Sequence, residues 1–88
     1  MKIHIRYFAS IREIVGQSEE TLDVSEESSV ATVRAELLAR YPGLQAIMAR
    51  CISAVNRKYV DAETMLHDGD ELVFIPPMGG GTQREEVR

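Results

Sequence analysis

Hydrophobic and polar residues alternate at the start of the chain. Over residues 2–8, Ile3, Ile5 and Tyr7 lie on one side, whereas the other side is polar except for Phe8. A repeat of two residues is typical of a β-strand with one face buried. The pattern therefore predicts a first strand that covers a core with its odd-numbered residues.

A short helix and a second strand are predicted next. Ser10 is a suitable N-cap for a helix over residues 11–15, and Gly16 stands where a left-handed residue would end that helix. Residues 20–24 alternate again, so they predict a strand that returns beside the first. The first two strands then form a loose hairpin with a helical turn at its tip.

The main helix is predicted after residue 28. Ser28 or Ser29 is placed to cap its first turn, and Pro42-Gly43 stops it. Its apolar residues repeat at the spacing of one helix face, and they are Val30, Val33, Leu37 and Tyr41.

The second half of the chain predicts one further helical turn and three strands, at residues 44–50, 51–55, 59–60 and 71–75. Asp68-Gly69-Asp70 predicts a turn before the last strand. That strand is almost continuously apolar, which predicts a central position with both faces buried. The order β-β-α-β-β predicts an α+β fold, in which a mixed sheet wraps around one main helix, provided that the first and last strands pair in parallel.

The length of 88 residues, 44% of them hydrophobic, supports one core but not a deep, enclosed active site. We predict that residues 1–77 form this domain and that Pro76-Pro77 ends its sheet. Residues 78–81 are predicted as a flexible glycine-rich tail. Residues 82–88 follow as a polar C-terminal extension, with two arginines against two glutamates.

The net charge of −4 argues against nucleic acid and anionic membranes as partners, because both select basic surfaces. The single cysteine, Cys51, excludes an intramolecular disulfide and favours a reducing compartment, so we expect a cytoplasmic protein. The alternating first residues contain no apolar signal segment, and no run of about 18 apolar residues could span a bilayer.

Side chains with catalytic or metal-binding chemistry do not cluster in the sequence. His4 and His67 have no Cys or second His at ligand spacing, so no metal site is predicted. Cys51 is interpreted as a small buried hydrophobic residue. The glycines at 79–81 lack the Lys-Ser/Thr pair and the helix of a phosphate-binding loop. Without side chains, they are suited to thread into a narrow pocket of another protein.

Four segments taken together carry a resemblance to a known family, at residues 7–13, 54–56, 68–71 and 74–81. With them, the chain resembles the small, sulfur-carrying subunits of molybdopterin synthase over residues 1–81. The resemblance implies a β-grasp, ubiquitin-like fold, which agrees with the strand order predicted above. It also implies a sulfur carrier in the biosynthesis of the molybdenum cofactor.

The resemblance implies a mechanism in which this chain supplies no catalytic side chain and binds no cofactor. An activating enzyme would use ATP and magnesium to convert the terminal glycine carboxylate to an acyl-adenylate, and sulfur would replace AMP to leave a thiocarboxylate. Gly81 aligns with that glycine, and Gly79 and Gly80 would enter the large synthase subunit. Docking is expected through an apolar sheet face, with ordinary core packing as the alternative for each aromatic candidate; the candidates are Phe8, Tyr59, Phe74 and Met78.

Seven residues follow Gly81, whereas the family ends in Gly-Gly. With Thr82 attached, the carbonyl of Gly81 is an amide, which cannot be adenylated. We therefore predict a precursor that a processing protease cuts after Gly81. Two alternatives stay open: a sulfur carrier for thiamine, cysteine or another product, and a ubiquitin-like modifier or non-catalytic interaction module.

Overall fold

The computed structural model describes residues 1–77, so the predicted tail 78–81 and extension 82–88 lie outside the described residues. The strands are β1 (Lys2–Arg6), β2 (Glu19–Asp23), β3 (Ile52–Val55), β4 (Lys58–Val60) and β5 (Glu71–Ile75). The α-helices are α1 (Ala9–Val15), α2 (Val30–Arg40) and α3 (Gln45–Met48), and a 3₁₀ turn over Pro42–Leu44 joins the last two.

The strands form one mixed sheet in the order β2-β1-β5-β3-β4. The neighbours β1 and β5 are parallel, while the other neighbouring strands are antiparallel. The predicted α+β fold, with its first and last strands paired in parallel, is confirmed. The prediction that β5 is a central strand is confirmed as well.

The core lies between α2 and one face of the sheet. Ile3, Ile5 and Tyr7 are buried in it, as the alternation along β1 predicts. The helix and the other strands add further fully buried side chains, among them Leu22, Val30, Val33, Leu37, Leu72 and Phe74. Among residues 1–77, no helix is long and apolar enough to cross a lipid bilayer.

The starts of the two longer helices differ from each other. Ser29 caps α2, because its hydroxyl accepts the backbone N–H of Thr32 at 3.2 Å and the Thr32 hydroxyl accepts the N–H of Ser29 at 3.3 Å. The predicted cap of the first helix is wrong. Helix α1 already begins at Ala9, so Ser10 is its second residue, and Phe8 occupies the N-cap without a side-chain hydrogen bond.

Helix α1 ends as predicted, at Gly16 in the left-handed conformation with φ 89°. The prediction that both faces of β5 are buried is wrong. Leu72 and Phe74 are buried against α2, but the alternate residues lie on the opposite face of the sheet and are only half-buried; they are Glu71, Val73 and Ile75. This second face contains the candidate site.

Candidate functional site

The sheet face opposite α2 carries a row of side chains that crosses every strand of the sheet. The strand register places them next to one another in the order Glu19, Arg6, Val73, Ala54 and Tyr59. Beside this row, Ile52 of β3 is paired with Ile75 of β5. We call the hydrophobic part the apolar sheet face, and it consists of Phe8, Ile52, Ala54, Tyr59, Val73 and Ile75.

A groove of about 270 Å³ lies in this face. Its lining is mostly hydrophobic with a few charged groups, and it comprises Arg6, Phe8, Ala54, Arg57, Tyr59, Glu71, Val73 and Ile75. The groove is open on the sheet surface and mostly hydrophobic, which suits contact with side chains of a partner protein.

Three large hydrophobic side chains are exposed on the apolar sheet face. The exposed fraction is 41% for Phe8, 55% for Ile52 and 77% for Tyr59. Neighbouring exposed hydrophobic groups mark interaction sites in many proteins. Phe8 and Tyr59 are candidates from the sequence, whereas Ile52 was missed. Its position two residues before Ala54 is the signal, because strand alternation puts both on one face.

Phe74 requires a correction. It was a candidate for docking, but its side chain is 1% exposed and lies in the core. Its register partner on β3 is Ser53, which is also buried, so Phe74 is on the face of the sheet that packs against α2. Core packing, the alternative interpretation, describes this residue correctly.

Arg6 connects the hydrophobic and charged parts of the groove. Its guanidinium carbon lies 5.5 Å from the centre of the Phe8 ring, within the range of a cation–π contact. Its Nη1 is 3.6 Å from Oε2 of Glu71 on the neighbouring strand. The Arg6 guanidinium therefore contacts both the Phe8 ring and the Glu71 carboxylate in the groove lining.

Asn56 joins two of the segments that carry the family resemblance. Its side-chain Nδ2 donates to Oδ1 of Asp70 at 2.9 Å, and its Oδ1 accepts the backbone N–H of Glu71 at 3.0 Å. The backbone N–H of Asn56 also donates to the carbonyl of Glu71 at 2.9 Å. These bonds fix the β3–β4 turn against the start of β5, so the two segments build the frame of the groove.

The remaining chemical candidates from the sequence lie apart from the groove lining. Burial raises the pKa of the Cys51 thiol and nearby Arg34 lowers it, with burial the larger effect. The Cys51 Sγ donates to the carbonyl of Ile47 at 3.3 Å. His4 is exposed and its Nδ1 lies 3.1 Å from the Thr21 hydroxyl. Within residues 1–77, no three His, Cys, Asp or Glu side chains are grouped so that they could hold a metal ion.

The last strand ends beside the groove. Ile75, the last residue of β5, is part of the groove lining, and Pro76 and Pro77 follow it directly. Neither proline has a backbone N–H to donate, so the sheet ends there. The remaining site residues from the sequence lie outside the described residues and their roles stay predictions: Met78, Gly79, Gly80 and Gly81.

Comparison with known proteins gives matches over nearly the whole chain. The model of the ThiS family matches residues 5–81. The chain is also similar to the molybdopterin synthase sulfur carrier subunit of Chlamydomonas reinhardtii, with 38% identity over 84 residues that cover 92% of this chain and 100% of the relative.

Two solved structures are similar to the domain. SAMP1 from Haloferax volcanii has a TM-score of 0.83 at 21% identity, covering 92% of this chain and 100% of its own, and this similarity concerns the fold alone. A chain from the complex of subunits 1 and 2 of the molybdopterin-converting factor of Helicobacter pylori has a TM-score of 0.69 at 27% identity, covering 92% of this chain and 100% of its own.

Proposed function

The chain belongs to the ThiS family, and on that premise we propose that it is the sulfur carrier subunit of a molybdopterin synthase. The observation that carries the proposal is that the family match ends at Gly81, the residue to which the family resemblance assigns the role of the sulfur-bearing terminal glycine. The sulfur carrier subunit of Chlamydomonas reinhardtii supports it, because this chain covers that relative over its full length.

The proposed chemistry takes place on the backbone of Gly81. On the activating enzyme, a terminal carboxylate oxygen attacks the α-phosphorus of magnesium-bound ATP, and pyrophosphate leaves. Hydrosulfide from a sulfide donor attacks the acyl carbon of the adenylate and displaces AMP, and loss of the sulfur-bound proton leaves a thiocarboxylate. Glycine suits this site because no side chain obstructs the carbonyl in a narrow pocket. The partner enzymes supply the acid, base and electrostatic groups.

The apolar sheet face is the proposed docking surface for the large synthase subunit. Phe8, Tyr59 and Ile52 are exposed on it, and only three residues of the sequence separate the end of β5 from the glycines. A partner bound there would therefore receive the tail in its own active site. The Helicobacter pylori complex supports a pairing of this kind, because a similar chain is one of its two subunits. Met78 is proposed to extend the same contact.

We propose further that the chain is made as a precursor and cut after Gly81 by a processing protease. The amide to Thr82 has no free carboxylate for adenylation, and residues 82–88 lie beyond the family match. The proposed compartment is the cytoplasm, where the single cysteine stays reduced.

The test is to incubate a chain that ends at Gly81 with an activating enzyme of this family, magnesium, ATP and a sulfide source. Intact-mass measurement should then show the gain of one sulfur in place of one oxygen at the C-terminus. The matched control is the chain of 88 residues, which should remain uncharged because Gly81 is blocked.

The same measurement separates the alternatives. A conjugated modifier would instead form isopeptide adducts on lysines of other proteins, and an interaction module would give neither product. A carrier for another pathway would become charged but would not support the large synthase subunit. Absence of a thiocarboxylate, under conditions that charge another member of the family, would overturn the proposal.

A further inference from the structure

The turn between β3 and β4 has an unusual residue at its second position. Asn56 and Arg57 both have left-handed backbone conformations, with φ of 50° and 71°. Two-residue hairpin turns of this kind favour Asn followed by Gly, because glycine alone adopts the second conformation without steric cost. Asparagine fits the first position well. Arginine at the second position is strained.

Nothing in the described part of the chain, residues 1–77, requires an arginine at this position. The side chain of Asn56 makes the hydrogen bonds that secure the turn, whereas Arg57 is exposed. Within residues 1–77, no carboxylate lies within 4.0 Å of the Arg57 guanidinium. The described non-glycine residues with positive φ are Ala9, Glu27, Asn56 and Arg57, and only Arg57 among these four lines the groove.

The charges of the groove do not cancel. Its lining contains Arg6, Arg57 and Glu71, and Arg6 is already paired with Glu71 at 3.6 Å. Among the residues that the structure describes, one positive charge, on Arg57, therefore remains beside a hydrophobic surface, although the whole chain carries a net charge of −4. Hydrophobic surroundings strengthen the attraction between opposite charges once a partner excludes water. A guanidinium also matches a carboxylate geometrically, with two parallel hydrogen bonds.

We propose that Arg57 is a specificity residue of the docking surface, and that it pairs with a carboxylate that the large synthase subunit places at the rim of the groove. The inference rests on the proposed function, because it concerns the partner of the same surface. The proposal explains why a strained arginine occupies the turn. The strain at Arg57 lowers the stability of the chain, and the ion pair that compensates for it forms only in the complex.

The test compares variants of the chain that ends at Gly81, the proposed mature form, in binding to the large synthase subunit, by titration calorimetry, together with thermal unfolding. Arg57→Gly should raise the melting temperature by about 4 °C, since strain is relieved, and weaken binding about tenfold. Arg57→Gln should weaken binding to a similar extent without a gain in stability. Arg57→Glu should bind more weakly still, because it places two negative charges together.

Arg34→Gln is the matched control, because it removes the same charge from α2, on the other side of the sheet. It should bind like the unchanged chain. The defect of Arg57→Gln should also shrink at high salt, since the screening length falls from about 10 Å at 0.1 M to about 3 Å at 1 M.

The outcomes distinguish a failure of the role proposed for Arg57 from a failure of the proposed function. If the unchanged chain binds but both Arg57→Gly and Arg57→Gln bind within about twofold of it, the role of Arg57 is overturned and the proposed function stands. The same conclusion follows if Arg34→Gln weakens binding as much as Arg57→Gln. If the unchanged chain does not bind the large subunit, the proposed function itself is contradicted.

Discussion

Tyr59 and Phe74 lie on opposite faces of the same sheet, with strand β3 between their two strands. Tyr59 on β4 is paired with Ala54, and its side chain is 77% exposed on the apolar sheet face. Phe74 on β5 is paired with Ser53, and its side chain is 1% exposed in the core. Because the two residues differ in face and burial, substitution should separate docking from stability.

Tyr59→Ser should leave stability almost unchanged and impair docking. An exposed side chain on an edge strand contributes little to folding, so we expect less than about 1 kcal/mol of lost stability. As a proposed central contact of the interface, its loss should cost about 2 kcal/mol of binding, close to a thirtyfold lower affinity for the large subunit. Calorimetric titration and urea unfolding measure the two effects, and undiminished affinity would remove Tyr59 from the docking surface.

Phe74→Ala should have the opposite profile. A buried phenylalanine that is truncated to alanine leaves a cavity and typically costs about 3–5 kcal/mol. Urea unfolding should show this loss, while the protein that remains folded should bind the large subunit with nearly unchanged affinity. A small loss of stability combined with a large loss of affinity would contradict this and indicate that Phe74 contacts the partner.

The capping box at the start of α2 gives a prediction with an internal control. Ser29→Ala removes the hydroxyl that accepts the N–H of Thr32, so it should lower the free energy of unfolding by about 1 kcal/mol. Ser10→Ala should change it by less than about 0.5 kcal/mol, because Ser10 caps no helix. Equal effects of the two substitutions in chemical denaturation would contradict the observed helix starts.

Tyr7 makes the domain sensitive to alkaline pH. Burial, assisted by a hydrogen bond of 2.6 Å to Oε1 of Glu20, raises the pKa of the Tyr7 hydroxyl far above its ordinary value of 10.0. Above pH 10 the Tyr7 hydroxyl loses its proton in the unfolded chain but keeps it in the folded chain. The stabilisation is therefore complete below about pH 10 and declines as pH rises, by at most about 1.4 kcal/mol per pH unit.

Tyr7→Phe tests this linkage. At neutral pH it should be less stable by about 1 kcal/mol, because the hydrogen bond to Glu20 is lost. Between about pH 10 and pH 11 its stability should fall less steeply than that of the unchanged chain. Urea unfolding at a series of pH values measures both slopes, and parallel slopes would show that Tyr7 does not carry the effect.

Features that depend on a few neighbouring residues were predictable from the sequence. The alternation of Ile3 and Ile5 defines the buried face of β1, and Ser29 and Gly16 mark a helix start and a helix end. Such signals are local, because they depend on side-chain spacing or on one backbone conformation. They were enough to predict the order of strands and helices along the chain.

Features that depend on distant partners were not predictable in the same way. The unbroken apolar run of β5 has no period of two, so it does not tell which of Val73 and Phe74 faces the core. Helix α1 starts at Ala9, which has a left-handed backbone conformation with φ 51°. No capping residue in the sequence indicates this start. Arg57 lines the groove because its hairpin packs against β5. The hairpin and β5 are distant in the sequence and meet only in the folded chain.

The central claim is that Gly81 carries sulfur to the large synthase subunit, and a single-turnover transfer assay tests it most directly. A chain ending at Gly81 is charged to the thiocarboxylate, freed of the activating enzyme and ATP, and mixed with the large subunit and the cyclic pyranopterin precursor. We expect the mass of the carrier to return to that of the carboxylate, with two carriers discharged for each dithiolene formed, because each thiocarboxylate supplies one of its two sulfur atoms. A carrier that keeps its sulfur while bound to a large subunit that accepts sulfur from another carrier of this family would contradict it.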